Sequence, residues 1–370
     1  MRPQLSAAMI VRDEESFLPG CLDSLDGVVD EIVVVDTGST DASVAIAEAH
    51  GARVLHHPWE GDFATPRNVA LEHATGAWIL YIDADERLRP VDRDLLSRRL
   101  EDAEEIAFAV VFHPFVHSTP FYEYRLWRND PRIRFRGVIH EKHTAAIEEI
   151  SRAEGRPVTR CHSVVIDHVG YEGDQTAKHR RNLPLLQAQL GAEPDNIFNW
   201  THLGRVWVGL GEPEKAEEAL ERAVALERAR PRPTDQGQAA FAELARLRDA
   251  AGGDVAGLVA EGLARFPENW LLIWVQGHVD LDAGRYEEAA ECFRRLLAAD
   301  TEALPAIGVA YESRMFGSWA HASLGLVHFR TGRFAEAAAA YAAAERLEPD
   351  NAEWAVKRRL AEARAGQPDP

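Results

Sequence analysis

The chain of 370 residues carries 60 acidic against 41 basic side chains, a formal net charge of −19. That surplus argues against broad binding to nucleic acid or to anionic membranes, which repel an acidic surface. No apolar run approaches the roughly 20 residues of a membrane span, and residues 1–10 lack a secretory signal pattern, so a cytoplasmic chain of about two domains is expected. Cys21, Cys161 and Cys292 stand too far apart to suggest a disulfide framework or a zinc cluster.

From the N-terminus, strand and helix signals alternate. Leu5 to Val11 is strand-like, Phe17 to Leu25 is helical, and Glu31-Ile32-Val33-Val34-Val35-Asp36 is an apolar run ending in a carboxylate. Ser39-Thr40-Asp41 is expected to cap a helix that runs to His50 and stops at Gly51. Val54-Leu55 restarts a strand, Phe63 to His73 is helical, and the strand from Trp78 to Ile82 ends in Asp83-Ala84-Asp85-Glu86. Such alternation with short links predicts a mostly parallel sheet with helices on both faces. Its carboxyl edge, where open α/β folds bind ligands, then carries both acidic strand ends.

Asp83 and Asp85 can converge on one ion where the chain turns, and carboxylate oxygens suit Mg2+ or Mn2+. Asp36-Thr37-Gly38-Ser39-Thr40-Asp41 sets a carboxylate, a glycine and a helix N-terminus side by side, offering acceptors to hydroxyls and N–H donors to an anion. A nucleoside diphosphate presents both. Each stretch also has a plain reading, a solvated turn or a capped strand-to-helix link. Neither stretch shows the G-x-G-x-x-G of dinucleotide sites or the G-x-x-x-x-G-K-[ST] of a P-loop.

Val11-Arg12-Asp13-Glu14-Glu15, Val33-Val34-Val35-Asp36-Thr37-Gly38-Ser39-Thr40-Asp41, Trp59-Glu60-Gly61-Asp62-Phe63-Ala64-Thr65-Pro66-Arg67-Asn68 and Asp83-Ala84-Asp85-Glu86 follow one another in a telling order. Together they resemble the ordered motifs of family 2 glycosyltransferases of the GT-A fold, over roughly Leu5 to Leu190. The resemblance implies an α/β GT-A (Rossmann-like) catalytic domain, a nucleotide-sugar donor, foremost a uridine diphosphate sugar, and inverting transfer with Mn2+ or Mg2+. It further implies that Asp36 and Asp62 hold the nucleoside and that Arg12, Glu14, Arg67, Asn68 and Asp83 join in donor binding. Asp85 is the implied direct metal ligand, with Asp83 beside it. Arg12-Asp13 stands where many relatives carry Arg-Asn.

Ile106 to Val116 and Tyr122 to Trp127 are rich in aromatic and β-branched residues and read as strands. Arg125, Arg128, Arg132, Arg134 and Arg136 form the one basic stretch, either a basic wall beside a diphosphate or strand residues paired with local acids. Phe135-Arg136-Gly137-Val138-Ile139-His140-Glu141 is similar to a further motif of the same glycosyltransferase group. A carboxylate or imidazole in an enclosed cleft can take the proton of an attacking hydroxyl or thiol, so Glu141 is the expected base and His140 the alternative. His168, after the apolar run from Val164, matches the late histidine that completes the metal shell in such enzymes. Lys178 and Arg181, on the helix that follows, are candidate diphosphate contacts or ordinary surface cations.

From about Asp195 the pattern is helical only. Trp200, Leu203, Gly204, Trp207, Ala216, Leu220 and Ala223 fit the spacing of a tetratricopeptide repeat, as do Leu324, Gly325, Ala337, Tyr341, Ala344 and Pro349. Gly277, Ala289 and Phe293 mark a third unit, and Glu243 to Pro267 a weaker one before it. Residues 1–190 are thus expected to be the catalytic domain and 191–370 a repeat domain, which offers a groove for a peptide or a surface for a homodimer. This layout resembles the peptide S-glycosyltransferases of the sublancin type and implies a Cys, Ser or Thr acceptor on a peptide or protein. A glycan or lipid acceptor, or a non-catalytic repeat scaffold, are the alternatives. A nucleotidyltransferase of the same fold is disfavoured, because Leu5 to Glu15 lacks a glycine- and arginine-rich opening loop.

Overall fold

The computed structural model describes residues 5–170, 175–307 and 309–366. It divides into two compact units, one running to Ala177 and taking in Ala303–Ala310, the other beginning at Lys178 and taking the remaining residues.

In the first unit the described residues form one eight-stranded sheet of β1 (Leu5–Val11), β2 (Glu31–Asp36), β3 (Arg53–His56), β4 (Trp78–Tyr81), β5 (Glu86–Leu88), β6 (Ala107–His113), β7 (Phe121–Arg128) and β8 (Val158–His168). The spatial order is β3-β2-β1-β4-β7-β6-β8-β5. β1 to β4 are mutually parallel, with crossovers through α1 (Leu18–Leu25), α2 (Ser43–Ala49) and α3 (Ala64–His73). β7 then enters antiparallel to both β4 and β6, while β8 lies parallel to β6, so the sheet is mixed with its parallel pairs in the majority, as expected. The link from β6 to β7 is too short for a crossover helix, and a short link returns the chain antiparallel.

Two apolar layers cover the sheet. Leu18, Leu22 and Leu25 of α1, with Leu96 and Leu100 of α4 (Arg93–Asp102), bury one face. Ala70 and Leu71 of α3, with Ile147 and Ile150 of α5 (Thr144–Glu154), bury the other. The N-cap position of α2 is Ala42, and Asp41 Oδ1 accepts from the N–H of Ser43, the first helical residue, at 2.9 Å. Ser39 Oγ and Asp41 Oδ2 also accept hydrogen bonds from the backbone N–H groups of Asp13 and Glu15.

The second unit is helical: α6 (Thr176–Ala192), α7 (Ile197–Gly209), α8 (Pro213–Arg228), α9 (Asp235–Ala250), α10 (Ala256–Arg265), α11 (Trp270–Asp282), α12 (Tyr286–Leu297), α13 (Ser318–Arg330), α14 (Phe334–Leu347) and α15 (Ala352–Ala365). Leu183 and Leu190 of α6 cluster with Leu203 of α7 and Ala219 of α8, so the division falls near Ala177 and not at 190. The repeat spacing follows from close approach: a Cβ on Gly204 would lie 2.5 Å from Leu220 Cγ, and one on Gly325 would lie 2.8 Å from Tyr341 Cε1. Between α12 and α13 the insertion holds two short 3-10 turns, Leu304–Ile307 and Ser313–Phe316.

Candidate active site

Parallel register brings the acidic strand ends to one edge. Val11 lies opposite Asp36 and Ala8 opposite Tyr81, so the chain leaves β1, β2 and β4 on the same side. The loops after β1 and β2 are tied together. Asp13 accepts from Thr40 N at 2.7 Å and Thr40 Oγ1 at 3.1 Å, and its own N–H donates to Ser39 Oγ at 3.0 Å. Asp13 holds a left-handed φ of 54°, which Asp and Asn tolerate better than other side chains. Its role is thus to clamp the loop. Asp36 is buried and accepts from Gly38 N and Ser39 N, with His56 Nδ1 at 3.3 Å. Burial alone would raise its pKa; the hydrogen bonds from Ser39, His56 and Gly38 outweigh that and hold the carboxyl below its ordinary value. Arg12 is exposed at this edge, and Glu14 is fixed through its N–H to Ser43 Oγ at 2.8 Å.

The start of α3 ties the loop that carries Glu141 to the sheet edge. Asp62 accepts from Thr65 N at 2.7 Å and Thr65 Oγ1 at 2.6 Å, capping the helix, while Phe63 N donates to Val138 O. Asn68 exchanges two hydrogen bonds with the backbone of Phe135, at 2.8 and 3.0 Å, so both ends of its amide are taken. Arg67 is buried between two acids: Nη1 donates to Asp83 Oδ1 at 2.7 Å, and Nε donates to Glu141 Oε1. Burial pushes the Asp83 carboxyl up, but Arg67 and Arg125 outweigh it and hold Asp83 well below the usual carboxylate range. His140, next to Glu141, has a left-handed φ of 53°.

A second buried ion pair stands behind the first. Glu86, 1 % exposed, accepts from Arg125 Nη2 at 3.0 Å and Nη1 at 3.3 Å, and its Oε2 also accepts from Asp83 N at 2.8 Å. The Tyr81 ring lies within cation–π distance of both Arg67 and Arg125, 4.5 and 4.3 Å from centroid to guanidinium carbon. Its hydroxyl donates to Asp83 Oδ2 at 3.1 Å. The basic stretch is therefore no wall. Arg125 is buried, Arg128 donates to the carbonyls of Ala103 and Glu105, Arg132 pairs with Asp130 and Glu154, and Arg134 donates to backbone carbonyls. Burial demands partners for Arg125, and acids supply them; Arg132 and Arg136 are exposed.

Asp85 faces elsewhere. β5 and β8 pair antiparallel with Glu86 opposite His168, and Val169 N donates to Asp85 O at 2.9 Å. This ladder sets His168 Nε2 3.1 Å from Asp85 Oδ2. Asp83 thus turns toward Arg67 and Tyr81, and Asp85 toward His168. Among the described residues no three His, Cys, Asp or Glu side chains form a ready-made metal cage. A carboxylate oxygen beside an imidazole nitrogen still fits Mn2+ or Mg2+ as a two-point corner, since such ions take further ligands from substrate phosphates and water. Lys178 and Arg181 lie on α6, in the second unit.

Residues 6–150 match the family model for Glycosyl transferase family 2, and residues 199–230 and 318–351 match tetratricopeptide repeat models. The chain joins a family 2 glycosyltransferase domain to tetratricopeptide repeats. It is similar to a TPR repeat-containing protein of Synechococcus elongatus, 36% identical over 236 residues, covering 62% of this chain and 58% of that one. It is also similar to the SPbeta prophage-derived glycosyltransferase SunS of Bacillus subtilis, 26% identical over 231 residues, covering 60% and 53%. The chain thus spans little more than half the length of these curated relatives. Among solved structures, the mannosyltransferase PcManGT from Pyrobaculum calidifontis, in complex with GDP-Man and Mn2+, aligns at 19% identity with a TM-score of 0.42, over 74% of this chain and 84% of that one.

Two residues of the glycosyltransferase domain escape a sequence reading. A Cβ on Gly170 would stand 2.2 Å from Asp85 Oδ2, so only glycine leaves that carboxylate in place. Gly170→Ala is expected to fold and, on the metal-holding role proposed for Asp85 below, to lower donor turnover about 10- to 100-fold; steady-state kinetics beside a thermal melt checks both halves. His143 is buried against Trp127 and Phe135, with Nε2 2.7 Å from Tyr124 O. Burial, with Arg125 and Arg67 nearby, lowers its pKa from 6.5 to about 4 despite that hydrogen bond. Between these two values the unfolded chain binds a proton that the folded chain refuses, so stability falls as pH drops from 6.5 toward 4. The loss is up to about 3 kcal/mol at 1.36 kcal/mol per pKa unit. Urea midpoints taken across that window should flatten by about one proton in His143→Gln.

Proposed function

We propose that the protein is a metal-dependent, inverting glycosyltransferase that moves a sugar from a nucleoside diphosphate donor, foremost a uridine diphosphate sugar, to a peptide or protein acceptor held partly by the repeats. The observation that carries this reading is the Asp85–His168 corner, on a chain whose Arg67 joins Asp83 to Glu141. Asp85 and His168 would hold Mn2+ or Mg2+, which when bound offsets the charge of the departing diphosphate. Asp36 and Asp62, with Arg12 and Glu14, hold the nucleoside; Arg67 and Asn68 act from behind, as positioning residues. Glu141 takes the proton of the acceptor thiol or hydroxyl, with His140 as the alternative base. The acceptor atom bonds to the anomeric carbon from the face opposite the nucleotide, the anomeric C–O bond breaks, and the electron pair leaves on the diphosphate.

The peptide class rests on the repeats and on the likeness to SunS. A glycan or lipid acceptor is the second reading, favoured by 39% identity over 107 residues to the lipopolysaccharide core biosynthesis glycosyltransferase LpsC of Rhizobium meliloti, covering 28% of this chain and 39% of that one. The purified full chain should release UDP from a UDP-sugar in Mn2+ or Mg2+. Chelation or Asp85→Ala should each reduce the rate by roughly a hundredfold or more, the several kcal/mol a metal ion contributes. Equal turnover in chelator would overturn the mechanism, and transfer to saccharides but to no Cys, Ser or Thr peptide would favour the second reading.

A further inference from the structure

We propose that Arg67 is a positioning residue that couples donor loading to the orientation of the acceptor-side base; this rests on the transferase reading above. Its guanidinium bridges the two acids: Nη1 and Nη2 face the two oxygens of Asp83 at 2.7 and 3.4 Å, and Nε serves Glu141. The Arg67 side chain is 10% exposed and that of Glu141 8%, so neither can exchange its partner for water. The Tyr81 ring, 4.5 Å away, and the Phe135 ring, 5.7 Å away, hold the plane of the fork. One cation thus serves two carboxylates, and the set carries a net charge of about −1 by simple counting of ionised groups. Asp83 and Glu141 compete for one guanidinium, so a cation held at Asp85 would ease the demand of Asp83 on the Nη edge and leave more of Arg67 to Glu141. The base is aimed when the donor is in place.

Linkage requires the reverse effect as well: disturbing Glu141 must change donor affinity by the same factor. Calorimetric titration of UDP in saturating Mn2+ reads this without turnover. In the wild-type background, Glu141→Gln should weaken UDP binding about five- to tenfold, within the ordinary range of coupling between sites. In an Arg67→Lys background the same change should have almost no effect, because a lysine ammonium is a single point charge without the two-edged fork. Glu141→Asp supplies an independent arm, since it keeps the charge but withdraws it from Nε, and should weaken UDP binding as much as Glu141→Gln does. Equal losses in both Arg67 backgrounds, or wild-type affinity in Glu141→Asp, would show plain through-space attraction and overturn the coupling. Absence of any Mn2+-dependent UDP binding in the wild type would instead overturn the transferase reading, and the coupling with it.

Discussion

Arg125→Met is expected to destabilise the α/β unit by about 3–5 kcal/mol, the loss typical of a buried ion pair broken on one side. Glu86 is 1% exposed, so removal of Arg125 leaves a carboxylate that water cannot reach, on a strand end that also fixes Asp83 N. Burial pushes the Glu86 carboxyl up, and Arg125 is the foremost charge that opposes this. Arg125→Met combined with Glu86→Gln removes both buried charges and keeps an acceptor for Asp83 N, and should recover most of the loss, because the other acid on Arg125, Glu123 at 2.6 Å, is one-third exposed and can turn to water. Urea unfolding of the full chain, read beside hydrogen exchange at β4 and β7, measures both variants. A single variant as stable as the wild type would show that the pair is solvated.

The largest effect on rate is expected at Glu141. Glu141→Gln keeps the size of the side chain and removes its ability to take a proton, and should lower kcat by about 10²- to 10⁴-fold, the range of general base catalysis. Donor affinity should move by a far smaller factor. His140→Asn should leave kcat within about tenfold, below that range. Single-turnover transfer to a peptide acceptor measures both, and the opposite ranking would assign the base to His140.

Much of this was legible from residue order. The apolar runs ending in Asp36 and Asp83 gave β2 and β4 and their shared edge, because parallel strands reached through short crossovers emerge on one side. The repeats were legible because Gly204 and Gly325 mark places where a helix leaves no room for a Cβ. β5 was not, since three residues, two of them charged, carry no periodicity. α5 was missed although Ile147 and Ile150 stand at helical spacing and Gly155 ends it with a φ of 68°. Arg125 could have been placed: an arginine between Tyr124 and Leu126 in an apolar strand is rarely buried without an acid. Which acid depends on strand register, and a single sequence does not state it. The same limit hid the Arg67–Glu141 contact, which closes 74 residues of chain.

The three-residue ladder between β5 and β8 has a bearing on how this domain is best cut for study. The family match ends at residue 150, whereas β8 begins at Val158 and delivers His168 and Gly170 to Asp85. A fragment trimmed to the matched stretch would keep Asp36 and Asp62 yet forfeit the strand that seats the Asp85 carboxylate. Inertness of such a fragment would then reflect a missing strand, not a misread chemistry.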